Sequence, residues 1–176
     1  MDPLMAPTLA AALLLVLAGA PKLVNPHDTR RALRSVGFPV PAIAVRAGGL
    51  VEVGIGTLAV LHGGRVADGL VAASYLGFTG FVIVALRSGG VIASCGCVGR
   101  PDTPPTLAHV LVTAAFTVLT GVAAAVGSTG VLTWTTSSMS TVHQVAVLGF
   151  AVLIAWLAWL ALAELPRLRA IERFVA

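Results

Sequence analysis

Five stretches of this chain, residues 4–23, 42–61, 70–86, 107–126 and 142–165, are poor in charge and apolar almost throughout. A helix needs roughly 20 such residues to cross the hydrocarbon core of a bilayer, so each stretch is long enough, or nearly so, to span. Hydrophobic residues make up 57% of the chain and charged residues 10%, with a mean hydropathy of +0.97. A water-exposed globule of this length has no surface to accommodate that surplus. The pattern predicts an all-α membrane protein, a bundle of four to five transmembrane helices in one integral membrane domain over residues 1–176. The lipid bilayer is its first partner.

The first stretch has the length of a signal peptide and ends in the small residues "LAGA". Its leading segment, "MDPLMAP", carries Asp2 and no Lys or Arg, and Pro21 follows the only plausible cleavage point. Both features argue for a retained span. Positive charge then sets the orientation. Lys22, Arg30, Arg31 and Arg34 fall in the first connection, Arg87 and Arg100 in the third, and Arg167, Arg169 and Arg173 in the tail. The second connection offers only Arg65, and the fourth, "GSTGVLTWTTSSMST", has no charge and reads as a polar, flexible loop. The bias predicts a multi-pass protein of the cell (cytoplasmic, or inner) membrane with its N-terminus outside and its C-terminus in the cytoplasm. The formal net charge of +4 follows from that topology and from anionic headgroups, and no nucleic acid partner is expected.

Chemistry concentrates in "SCGCVGRPDTPP", which holds both cysteines, Cys95 and Cys97, one glycine apart. Gly96 permits the tight turn that a disulfide between them needs. So small a loop gains little stability from cross-linking, whereas a strained, easily exchanged bridge suits redox traffic. Thr103 or Thr106 can cap a helix whose first turn holds Pro104 and Pro105, placing an electropositive helix start and Arg100 near the pair, a field that favours the thiolate. Two other readings stand beside this one. Two thiolates alone suffice for a soft ion such as Cu(I), which makes Cys95 and Cys97 candidate ligands of a metal-binding or transport protein, while a closed zinc site lacks two convincing further ligands. In the third, the thiols are incidental to a non-catalytic assembly subunit. No residue run marks a nucleotide, a quinone or another cofactor, and oligomeric state is not encoded in any motif.

Two features inside the spans bear on the same chemistry. Glu52 is a lone carboxylate deep in "RAGGLVEVGIGTLAV", where an ionisable group normally faces the protein interior and requires a partner or a proton. Gly48 and Gly56, four residues to either side, are expected to let a second helix close around it, whereas Arg46 at six residues is off that face. On the fourth span Thr106, His109, Thr113, Thr117 and Thr120 recur at helical spacing. The threonines either bond to their own helix's carbonyls or line a path from the thiols, with His109 handling protons. Ala73 and Gly77 suggest a packing seam, and Trp156 and Trp159 suggest lipid-facing or interfacial aromatics.

"AGAPKLVNP", then "RAGGLVEVGIGTLAV", then "CGCVG" before a further span resemble, in order and separation, the MauE group of the MauE/DoxX redox-associated membrane proteins. The resemblance implies a DoxX-like helical bundle in which Cys95 and Cys97 are a redox pair and Glu52 is the signature acid. It further implies a thioredoxin-fold partner, and a role in maturing exported disulfide-bearing proteins, such as the small subunit of methylamine dehydrogenase in methylamine utilisation.

Overall fold

The computed structural model describes residues 3–87, 105–134 and 140–163, and among these the regular structure is helical, with no strand. Five helices are long and apolar enough to span: α1 (Met5–Val24), α3 (Ala42–Leu61), α4 (Arg65–Arg87), α5 (Leu107–Val126) and α7 (Thr141–Ala163). Two short helices, α2 (His27–Ser35) and α6 (Val131–Trp134), lie in connections. The protein is a multi-pass, all-α membrane protein.

The expected spans agree with these helices to within a residue or two, except that α4 begins at Arg65, not at residue 70. The reason is the connection before it. His62, Gly63 and Gly64 turn the chain alone, with Gly63 at φ 64° and Gly64 at φ 93°, a left-handed conformation that a residue without a Cβ adopts cheaply. The helix therefore starts on polar residues, and Asp68 in its first turn is fully buried.

At the centre of the bundle is α1, which packs against α3, α4, α5 and α7. Half of its most apolar 18 residues are buried, against 22–28% in the other spans. Its buried residues include the small Ala10, Ala11, Ala12 and Gly19, with Leu9, Leu14 and Leu15 filling the gaps. Small side chains are what let helices approach in lipid, where no hydrophobic force drives them together. The antiparallel α1–α3 contact is the closest example. A Cβ added to Gly19 would stand 2.7 Å from the Gly49 carbonyl oxygen, one added to Gly49 would stand 2.8 Å from that of Gly19, and one added to Gly56 would meet the Ala12 carbonyl oxygen at 2.7 Å.

Gly56 thus performs the close packing expected of it. Gly48 does not: a Cβ there would meet nothing within 4 Å, and its neighbour Gly49 makes the contact instead. The expected seam on α4 is likewise corrected, because Ala73 and Gly77 face outward and α4 buries Val71, Tyr75, Thr79 and Val82. Tyr75 donates from its hydroxyl to the Ala11 carbonyl of α1 at 2.8 Å, a bond that ties α4 to the central helix. Of the two tryptophans only Trp156 is exposed; Trp159 stacks on it at 5.4 Å and packs against the core.

The connections pair at the two ends of the bundle. At one end, Ala32 of α2 packs on Ala85 near the end of α4. At the other, the Gly130 amide donates to the His62 carbonyl at 3.0 Å, joining the fourth connection to the second. In the described part of the fourth connection, residues 127–134, α6 forms and buries Trp134, and the Gln144 amide donates to the Trp134 carbonyl at 3.4 Å.

Candidate functional site: a buried ion pair beneath α2

Glu52 sits midway along α3 and carries its partner on α1. The Lys22 ammonium donates to both carboxylate oxygens, at 2.5 and 2.7 Å, and the two side chains are 7% and 14% exposed. Lys22 was expected to join the cytoplasmic charges of the first connection. It lies instead in the last turn of α1 and reaches along the helix toward Glu52. The local sequence explains why. Gly49 leaves room for the lysine stem beside it, since a Cβ at Gly49 would stand 2.9 Å from the Lys22 Cβ, and Gly19 leaves the same room beside Glu52. Lys22 Nζ also stands 4.9 Å from the centre of the Phe78 ring, whose face attracts a cation. An ion pair with these supports removes the need for either charge to be neutralised in the bilayer.

Beside the pair lies a half-open cavity of about 260 Å³. Lys22, Glu52 and Thr29 are its polar lining, and Gly48, Leu33, Phe78 and Phe81 are among its apolar walls. The helix α2 forms part of the boundary through Leu33 and Thr29, and is held down by Ala32 on Ala85 and by the Arg30 Nε bond to the Val40 carbonyl at 3.3 Å. Gly48, expected to pack, is therefore what leaves the space open.

His109 is placed on a different helix and does a different thing. Thr106 is the N-cap of α5, so Pro105 precedes the helix and does not sit in its first turn. The Thr106 amide donates to His109 Nδ1 at 3.3 Å, and the Thr106 hydroxyl lies 2.9 Å from the same nitrogen. A backbone N–H can only donate, so Nδ1 accepts and the ring proton belongs on Nε2. His109 thereby fills the place that Glu or Gln takes in a capping box. His109 is 2% exposed, and its Nε2 has no hydrogen-bond partner among the described residues.

The threonine stripe bonds within its helix: Thr113 to the His109 carbonyl at 2.8 Å, Thr117 to that of Thr113 at 2.9 Å, and Thr120 to that of Phe116 at 2.6 Å. One hydroxyl also bridges helices, Thr113 and Thr79 lying 2.8 Å apart. No hydrogen bond joins His109 to Glu52 among the described residues. Cys95, Cys97 and Arg100 lie outside the described residues. Their flanks do not: α4 and α5 run antiparallel, with Thr79 against Thr113 and Gly69 near Ala124, so Arg87 and Pro105 lie at one end of the bundle, the end that carries α2.

Sequence reasoning missed Lys22 as the partner of Glu52. The signal lay in "AGAPKLVNP", where a lysine one turn from a helix end is preceded by the glycine that admits a second helix. No curated protein and no solved structure matches the chain. A protein family described as methylamine utilisation protein MauE matches residues 3–127. That match ends at Gly127, the cap of α5, and so takes in α1 to α5, the ion pair and both cysteines, leaving α6 and α7 outside. With most of its length covered, including the two stretches that meet as Lys22 and Glu52, the chain belongs to the MauE family of membrane proteins.

Proposed function

We propose that the protein is a thiol-disulfide component of the cytoplasmic membrane, in which Cys95 and Cys97 cycle between dithiol and disulfide and exchange two electrons and two protons with a thioredoxin-fold partner. The observation that carries the reading is the convergence of the motifs. The glycine-lysine and glycine-glutamate stretches fold onto each other as the Lys22–Glu52 pair, which joins the last turn of α1, at the end of the bundle from which the Cys95–Cys97 connection departs, to the middle of α3. Family membership supports placing this exchange in methylamine utilisation, and the final substrate proposed is an exported disulfide-bearing protein. The ion pair serves as the rigid floor of that end of the bundle.

The exchange proceeds by attack of one thiolate on the partner's disulfide. A bond forms between the two proteins, one partner sulfur leaves as thiolate, and the second cysteine then attacks the mixed disulfide, releasing the partner as a dithiol. Cys97, nearer the start of α5 and Arg100, is assigned as the attacking thiol and Cys95 as the resolving one. In Cys95→Ser the mixed disulfide accumulates, and in Cys97→Ser it does not, read on a non-reducing gel after acid quenching of cells. A complex in both variants removes the division of roles. No complex in either, with both thiols permanently reduced, removes the relay itself and leaves metal binding or assembly.

A further inference from the structure

The thiol exchange proposed above makes no use of the cavity beside the ion pair, and the chemistry of the cavity selects a ligand independently of that reading. Its volume of about 260 Å³ lies just below the roughly 300–1,000 Å³ of ordinary small-molecule sites, which suits the head of a molecule whose remainder lies outside. The walls are apolar and aromatic, with Phe78, Phe81 and Leu33 facing the space. Cavities of that character hold water poorly. Its polar lining is the ion pair, which has no net charge, and the neutral Thr29. An anionic head would confront the Glu52 carboxylate and a cationic one the Lys22 ammonium, so neither sign is favoured. What remains is directional: an ammonium has three N–H donors, and Lys22 directs two of them to the oxygens of Glu52.

We propose that this cavity binds a neutral, carbonyl-bearing apolar molecule drawn from the bilayer, whose carbonyl oxygen accepts the third Lys22 N–H while its body lies against Phe78 and Phe81. Two molecules of the membrane carry that chemistry, a quinone ring and the ester group of a phospholipid. Gly48 is the gatekeeping position. A Cβ there meets nothing within 4 Å, so a larger residue is accommodated without moving a helix and occupies the ligand's place.

The test uses the full chain in a carbonyl-free detergent, with a radiolabelled short-tailed benzoquinone and a short-chain diester phosphatidylcholine as separate probes. An ether-linked phosphatidylcholine and a carbonyl-free analogue of the ring are the controls. Saturable binding of one stoichiometric equivalent is expected for a carbonyl probe, weakened about tenfold or more in Gly48→Leu. Gly54→Leu, on the same helix with open space around it and outside the cavity, retains wild-type affinity and shows that leucine in α3 is tolerated. Saturation by the quinone alone assigns a ring ligand, and saturation by the diester lipid alone assigns a lipid carbonyl. Binding of neither probe, equal binding by the carbonyl-free controls, or undiminished binding in a folded Gly48→Leu overturns the proposal.

Discussion

Glu52 and Lys22 are each too costly to leave charged and alone in a membrane interior, and their value lies in being together. Removing one partner of a buried ion pair leaves an uncompensated charge and costs about 3–5 kcal/mol, whereas replacing both by apolar groups of similar shape is often close to neutral. Lys22→Met and Glu52→Met are therefore each expected to lower the thermal unfolding midpoint of the purified protein by many degrees, and the double variant to recover most of the loss. A double variant as unstable as the sum of the singles contradicts the pairing. His109 allows an equally clean separation. As the third residue of a capping box it contributes through its acceptor nitrogen, so His109→Gln, which restores the usual capping residue, is expected to keep stability, while His109→Leu loses about 1 kcal/mol. If His109 instead moves protons during thiol exchange, His109→Gln remains as stable as wild type but loses turnover of the disulfide.

At the scale of helices, the fold depends on where backbones touch. Gly19 and Gly49 press on each other's carbonyl oxygens at under 3 Å from any added Cβ, so Gly49→Val forces α1 and α3 apart and is expected to destabilise by about 2 kcal/mol or more. Gly54→Val, facing open space, changes stability by a few tenths of a kcal/mol. The comparison is made by thermal unfolding of the two variants side by side. The same pair of helices marks the limit of reading from sequence. Hydropathy located the five spans because bilayer thickness fixes a length that composition must satisfy. It did not say which of two adjacent glycines faces the partner helix, because "AGGLVEVG" offers a glycine on two faces and only the crossing of α1 and α3 selects Gly49. Nor did it reveal α2, a polar nine-residue helix whose only buried residue is Ala32 against Ala85, too brief for its periodicity to stand out. Lys22 was counted with the loop charges because counting takes no account of side-chain direction, and glycine beside its stem turns it inward.

At the scale of the whole molecule, the pairing of connections agrees with the charge pattern that first suggested it. The first connection meets the end of α4 through Ala32 and Ala85, and the second meets the fourth through His62 and Gly130. With Lys22 committed to Glu52, the remaining cations of the first connection are Arg30, Arg31 and Arg34, still a majority over Arg65, which on the opposite end lies against Gly127. The orientation expected from the charges is therefore unchanged by the loss of one charge, and the bias weakens only in degree. Fusions of a reporter active in the cytoplasm after residue 36 and after residue 176 are expected to be active, and fusions after residue 63 and within residues 135–139 inactive, with the complementary pattern for a reporter active only outside. Arg30, Arg31 and Arg34 replaced together by Gln or Glu are expected to reduce cytoplasmic activity of the residue-36 fusion, because that connection then keeps no arginine to hold it inside. Lys22→Gln alone is expected to leave the orientation unchanged while lowering stability, since its charge is neutralised within the bundle. A residue-176 fusion active only outside would reverse the assignment, and would put α2, the ion-pair cavity and the Cys95–Cys97 connection on the side where disulfides are made.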